Sequence, residues 1–480
     1  YSHRKCDLSV IKEGARIIDL NEGAGLRNEN GNLIKDVISG LDPDVIIMFG
    51  LHLLDVETYD IPTYGVWAFS TENNEFPGEP VHGFLEVIKH KPLTNTVLEI
   101  VKADRSENEV IYSSRESTYH YSVTVNRNRV FWRATLILPR IIEGLARYGE
   151  NYLDQLKERQ KEIRTDTGLL SGSYSFLTVL RDLTVHIARV LALGFNKLIY
   201  TDAFSWKLLT DIRKDSNSFS DNFRSFDTLN PPRKMFWADP FVVAENNNYY
   251  IFVEEFIYRK NRAHISLIEL DSGGRFIRSG KIIERPYHMS YPFAFKLGDS
   301  YYMIPETSQN RTIELYKCTE FPWKWEFERN IMEDISATDA TLFYHEEKWW
   351  LFATVDRTNG ISGCSTELFL FFSEDPFSGR WTSHFLNPVV SDESNARCAG
   401  KLFVEDGRIY RPTQDCSVRY GRGFNINLVT KLSTGEYNET PVREIKPDWN
   451  RKLKGTHTLN YDGGLTVIDI YRYHGRLALK

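Results

Sequence analysis

Cysteine is scarce in this chain, long apolar runs are missing, and neither sign of charge dominates. The five cysteines (Cys6, Cys318, Cys364, Cys398, Cys416) include no CxxC pair and form no His/Cys cluster. A disulfide framework and a structural zinc site are therefore disfavoured, and a reducing, cytoplasmic compartment is the expectation. No motif asks for a metal or another cofactor, so none is expected. The longest apolar stretches, such as Val45–Leu51, fall far short of the ~18 residues that cross a bilayer, so no integral membrane segment is expected. Lys plus Arg is 59 against 65 for Asp plus Glu, and the net charge of −6 gives no electrostatic reason to expect nucleic acid. The chain opens on Tyr1 instead of Met, which reads as a missing N-terminal piece. Composition leaves the oligomeric state open. What remains is ordinary globular material: 480 residues, 41% hydrophobic and 26% charged, enough for roughly three domains. Aromatics, at 13%, are the outlier, and they lean towards β-rich structure and a flat-faced ligand such as a sugar.

Three stretches are legible. Residues 1–125 read as α/β. Asp44-Val-Ile-Ile-Met-Phe-Gly50 and Gly65-Val-Trp-Ala-Phe-Ser70 are continuous apolar strands of the kind buried on both faces of a parallel sheet. Residues 97–101 and 110–112 alternate in polarity like edge or hairpin strands. Residues 126–222 read as a helical connecting region. Leu138, Ile141, Ile142, Leu145 and Tyr148 recur near the helical period, with Pro139 in the first turn, and a second helical run covers 177–193. Gly168-Leu-Leu-Ser-Gly-Ser173 reads as the break between them. From 223 to 480 only short strands and polar turns follow.

That last stretch contains a repeat. Ten residues separate Pro240 from Tyr250, Pro292 from Tyr302, Ala340 from Trp350 and Gly400 from Tyr410, with a looser copy from His457 to Val467. Each copy reads as a hairpin followed by further strands, at intervals of 48 to 60 residues. About 50 residues and four strands make one propeller blade, so five copies predict a five-bladed β-propeller. A β-sandwich would not need one hairpin template to recur at this period.

The hairpin places the start of its first strand beside the end of its second. Asp239 opens the first hairpin and Glu254-Glu255 closes it. Glu306 stands as far behind Pro292 as Glu254 does behind Pro240, and Asp339 repeats Asp239 in the third copy. His457 comes from the fifth copy, and Arg397, Gln414 and Asp415 from the fourth. A ring of carboxylates around the axis is predicted, with Asp239, Glu306 and Asp339 as catalytic candidates. Glu254, Glu255, Tyr291, Arg397, Gln414, Asp415 and His457 are the expected substrate contacts. Facing carboxylates are costly unless something uses them, and a carboxylate pair is the apparatus of glycosyl chemistry. Trp237, Tyr291, Trp349 and Trp350 suit stacking on a sugar or packing between blades. Arg411, Arg419 and Arg422, near Asp415, read either as a donor-phosphate clamp or as surface salt bridges.

FWADPFV, ERPYHMSYPF, MIPETS, DATLF and RPTQDCS, in this order, resemble the propeller domain of plant glucosamine inositolphosphorylceramide transferases. Through it they are similar to the five-bladed propellers of furanosidase-type glycoside hydrolases. The resemblance runs from about Arg233 to Arg472. It implies a carbohydrate or nucleotide-sugar ligand, with Asp239 matching the hydrolase base and the acid left open among Glu254, Glu255 and Glu306. The plant enzymes carry a further glycosyltransferase domain that this chain ends without, so transfer and hydrolysis both stay open. The first stretch resembles the formyltransferase family through residues 42–50, 65–70, Pro77-Gly78 and 94–98. There the family's Asn-x-His falls on Ala68 and Ser70, and its Asp on or near Ser106, beside Glu107. Ala68 has no polar side chain and Ser70 does not titrate near neutrality. The resemblance therefore implies a degenerate scaffold. Three functions stay in view: an enzyme acting on a glycan or glycoconjugate, a non-catalytic carbohydrate-binding protein, and a formyltransferase-family protein acting on an amino sugar.

Overall fold

A computed structural model describes residues 20–21, 27–28, 34–49, 56–70, 83–103, 108–164, 176–213, 218–357 and 366–475. It divides into two compact units, Tyr1–Ser114 with Tyr119–Thr184, and Arg115–Thr118 with Val185–Lys480. Ser106 and Glu107, Pro77-Gly78 and the break at 168–173 lie outside the described residues.

The first unit holds a four-stranded sheet. Ile46–Met48 pairs in parallel with Val66–Ser70, which pairs antiparallel with Leu93–Val101, and Glu109–Ser117 completes the order. Val66, Trp67 and Leu98 are fully buried, as continuous apolar runs dictate. Helix Val123–Tyr148 starts on Ser122, whose Oγ accepts the Val125 amide. It buries Asn126, Val130, Arg133, Ile137, Ile141 and Leu145, at spacings of three and four. The reading of Pro139 in the first turn is corrected: it lies inside this 26-residue helix. Ile142 and Tyr148 are exposed instead of lying on the packed stripe.

The second unit is a succession of antiparallel sheets. The first takes Met235–Glu245, Asn248–Ile257, Arg262–Leu270 and Phe276–Ile283 in order. The second takes Ser290–Leu297, Ser300–Thr307, Thr312–Glu320 and Lys324–Glu333. The third takes Ala337–His345, Lys348–Val355, Glu367–Ser373 and Thr382–Ser383, with Val390–Ser391 also on Glu367–Ser373. The fourth takes Phe403–Glu405, Arg408–Asp415, Gly423–Leu432 and Tyr437–Ile445. The fifth joins Leu459–Asp462 and Leu465–Gly475 to Tyr200–Ile212 and Asp227–Leu229. Here the structure differs from the reading of 126–222 as a helical connector. Residues 200–212 are a strand, because they pair along their length with the last strand of the chain, and local periodicity carries no trace of a partner so distant in sequence.

The opening strands share one irregularity. In the first sheet Asp239 and Pro240 together oppose a single residue, between the pairs Phe241–Phe252 and Ala238–Glu254. The same two-against-one bulge falls at Tyr291-Pro292 and at Asp339-Ala340. Asp239, Tyr291 and Asp339 take φ of 50°, 44° and 53°, the left-handed region that asparagine and aspartate tolerate and tyrosine enters rarely. A bulge re-aims the side chain it carries, and all three turn towards a neighbouring sheet. In the fourth copy Gly400 stands where Pro240, Pro292 and Ala340 stand in the first three, one residue after the left-handed position. A Cβ there would lie 2.0 Å from the Leu459 carbonyl oxygen, so only glycine lets the fourth and fifth sheets approach this closely. Between the sheets Phe241, Phe252, Tyr291, Phe293 and Trp350 form the core, each buried ring worth roughly 1.5–3 kcal/mol.

Candidate functional site

The bulges gather charge where sheets one, two, three and five meet. Asp239 is 2% exposed. Its Oδ1 accepts the Thr458 hydroxyl at 3.0 Å and faces His457 Nε2 at 3.2 Å, and its Oδ2 accepts the Tyr291 amide at 3.3 Å. On the far side of His457 stands Asp469. Its Oδ2 lies 2.7 Å from His457 Nδ1 and its Oδ1 accepts the His457 and Thr458 amides at 2.8 and 3.1 Å. Burial disfavours a charged imidazole, yet the two carboxylates outweigh it and lift His457 to about 10. The Trp206 ring, 4.1 Å away between centroids, packs against it. Burial likewise pushes the Asp239 carboxyl up, but the His457 charge and the bonds from His457 and Thr458 hold it below its ordinary value.

Glu254 has different surroundings. It is buried, opposes Ala238 across the bulge, and faces His288 Nε2 at 3.3 Å. Burial dominates and raises its carboxyl; His288 pulls down and the Asp239 charge pushes up. Two nearby carboxyls are thus driven in opposite directions. That is how one site obtains an ionised group beside a proton donor.

Asp339 is fully buried and is held by Arg397 through Nε and Nη2 and by Gln414 Nε2 at 2.8 Å. Burial drives its carboxyl well up, against the pull of Arg397. Arg397 Nη2 also lies 3.6 Å from Glu306 Oε2, a buried oxygen with no hydrogen bond, while Ser308 donates to Oε1 at 2.7 Å. Asp339 and Glu306 keep the guanidinium charged despite its burial. Tyr420, 37% exposed, lies over Arg397 at 5.0 Å and edge-on to His457 at 5.2 Å.

The structure brings together Asp239, Glu254, Glu306, Asp339, Arg397 and His457, with Gln414 behind Asp339. Four expectations are corrected. Glu255 projects to the opposite face from Glu254, where Trp237 Nε1, His264 Nε2 and Ser266 Oγ occupy it at 2.8, 3.0 and 3.2 Å. Tyr291 is fully buried, its hydroxyl 3.0 Å from Thr341 Oγ1 and accepting the Gly400 amide at 2.9 Å, so it ties sheets together and offers no face to a ligand. Asp415 is consumed by Ser417 and by Arg422 Nη1 at 2.8 Å. Asp339 has no exposed surface and is held by Arg397 and Gln414, so it does not offer a ligand the atom expected of a catalytic candidate. The arginine cluster is no phosphate clamp: Arg411 is buried against Glu439, and Arg419 binds the Tyr471 hydroxyl at 2.8 Å and the Lys454 carbonyl. Trp237 and Trp350 are buried and pack within the unit.

Sequence reasoning missed His288, Tyr420, Thr458 and Asp469. A signal existed for Asp469, an aspartate between isoleucines on an apolar strand, because a buried carboxylate needs a partner. Among the described residues Asp239, His457 and Asp469 are grouped with ligand-type atoms within 4.8 Å of one another. A cation bound there would have to displace the proton that the two carboxylates favour on His457.

Residues 227–463 match the family model described as glucosamine inositolphosphorylceramide transferase 1, N-terminal. Over 210 residues the chain is 36% identical to glucosamine inositolphosphorylceramide transferase 1 of Oryza sativa subsp. japonica, covering 43% of this chain and 28% of that protein. The protein of that name from Arabidopsis thaliana is 30% identical over 225 residues, 45% of this chain and 29% of its own length. The chain therefore spans under a third of the curated relatives it matches. Two solved structures are more remote. The catalytic domain of the Coprinopsis cinerea GH62 alpha-L-arabinofuranosidase is 12% identical at a TM-score of 0.39, covering 57% of this chain and 98% of that one. A family 117 glycoside hydrolase of Zobellia galactanivorans is 12% identical at 0.37, covering 55% and 90%. At those TM-scores neither lends its chemistry to this chain.

Proposed function

We propose that the five sheets are the blades of one closed β-propeller, and that the carboxylate cluster on its axis acts on a glycan or glycoconjugate by glycosyl transfer or glycoside processing. The opening strand of the first sheet packs against both the second sheet and the fifth, and the fifth is completed by strands from before the first. Both features fit a ring. The observation that carries the chemical reading is the unequal setting of Asp239 and Glu254. One is an ionised carboxylate steadied by imidazolium, hydroxyl and amide; the other is buried with a single imidazole. Asp239 takes the role of base or nucleophile and Glu254 that of acid. Glu306, whose Oε2 accepts no hydrogen bond, and the partly exposed Tyr420 take the sugar. The names of the matched relatives put glucosamine and inositolphosphorylceramide at the head of the candidate ligands.

The test is a panel of nucleotide sugars, aryl glycosides, glucosamine and inositolphosphorylceramide, read by product formation and by calorimetry, on the parent and on Asp239→Asn. Turnover abolished at least 100-fold in the variant supports catalysis. Sugar affinity without turnover in the parent turns the reading into a binding protein. Unchanged activity and affinity in folded Asp239→Asn overturn both. For the first unit we propose a formyltransferase-like scaffold without the formyl-transfer groups, since Ala68 and Ser70 hold the strand positions that would need them.

A further inference from the structure

Glu254 is buried on the second strand of the first sheet, opposite Ala238 and Ile265, and an acid so placed needs a fixed direction as well as a proton. His288, in the connection between the first and second sheets, is pinned from several sides. Its amide donates to Gln309 Oε1 at 2.9 Å, its Nδ1 accepts the Ala263 amide at 3.3 Å, and its ring leans on Phe256 at 6.2 Å. The Met289 amide, next along, donates to the Ala263 carbonyl at 3.3 Å. With Nδ1 taken by a backbone N–H, the ring carries its proton on Nε2, and Nε2 stands 3.3 Å from Glu254 Oε1.

We infer that His288 is a positioning residue for Glu254: an imidazole locked in the Nε2–H tautomer that holds one oxygen of the carboxyl and so fixes where the other presents its proton. The inference rests on the proposed role of Glu254 as acid. When the acid gives its proton to a departing oxygen, the bond made is O–H on the leaving group and the bond broken is O–H on Glu254. His288 keeps its own proton throughout and donates a hydrogen bond to the carboxylate left behind. It is not a relay, because a relay needs Nδ1 free to reload. The carboxylates facing the ring are Glu254, Asp239 and Glu306. Burial lowers its proton affinity and these three raise it, with the net effect upward. Nearby Arg262 is turned to the Pro286 carbonyl at 2.5 Å, and His264 faces Glu255 on the other side of the sheet.

The experiment is nitrogen NMR of the whole chain labelled at histidine, with the His288 signal assigned by its loss in His288→Gln. The expected result is the Nε2–H tautomer in the parent and, in Glu254→Gln, a His288 titration midpoint lower by at least about half a pH unit, since a facing carboxylate is gone. In carbon NMR of labelled glutamate, His288→Ala should raise the Glu254 midpoint, and His288→Gln, which keeps an N–H near the place of Nε2, should restore it. An Nδ1–H tautomer, or a His288 midpoint indifferent to Glu254→Gln, overturns the inference even if His288→Ala does not fold. None of these readouts requires a sugar. If they hold while Asp239→Asn leaves the ligand panel untouched, the pair stands and the carbohydrate reading falls; the reverse pattern removes only the pair.

Discussion

Both units contain strands whose ends look, in sequence, like places for chemistry, and among the described residues it is the second that gathers carboxylates from several sheets. In the first unit Val66–Ser70 ends on Ala68 and Ser70 in a single four-stranded sheet, with no titratable side chain at either position. In the second, one hairpin design recurs, and the bulge at Asp239, Tyr291 and Asp339 turns each side chain across to another sheet. One strand end is a place for one group. Recurrence of one hairpin design supplies several, and their mutual electrostatics set proton affinities that a lone carboxylate in water would not have.

Three changes would break or sharpen that contrast, beginning with the largest. Arg397→Ala leaves Asp339 buried without its charge partner, and a broken buried pair costs on the order of 3–5 kcal/mol. The denaturation midpoint should fall accordingly, and Asp339→Asn in the same background should recover much of the loss. No recovery would mean that Arg397 acts through packing alone.

Next in size is the pH dependence of His457. Its folded value near 10 lies above the ~6.5 of an unfolded chain, so its contribution to stability is full below about 6.5 and is lost as pH rises through about 10. The stability gap between the parent and His457→Gln should therefore narrow across that window. A gap that widens with rising pH would contradict an imidazolium between Asp239 and Asp469.

The smallest expected effect is none. Calorimetric titration of the whole chain with formyl-tetrahydrofolate should give no heat of binding if the first unit is the degenerate scaffold proposed above, with Ala68 and Ser70 at the positions that would carry the polar groups. Micromolar affinity would place a second working site there and erase the contrast.

Much of this was open to a reader of the sequence. The ten-residue hairpin spacing and its return every 48 to 60 residues set out the sheets; Asp239, Glu254, Glu306, Asp339 and His457 came from equivalent places within the copies, and Arg397 only from its place in the fourth. Where the reading failed, the cause was a partner out of local view. Glu254 and Glu255 are neighbours in sequence, yet strand alternation sends them to opposite faces, and the bulge opposite them sets which face meets Asp239. Tyr291 and Asp415 look like ligand contacts until burial and hydrogen bonding consume them.

The sequence by itself determined the hairpins, because turn residues, strand alternation and tolerance of a left-handed bulge act over a few neighbouring residues. It could not determine that residues 200–212 leave a helical region to complete the last sheet. Nor could it show that Asp469 accepts the amide of Asp239 from 230 positions away, or that His288 faces Glu254. Burial and charge pairing depend on distance in space, falling off within a few ångströms, and that distance exists only once the chain has folded.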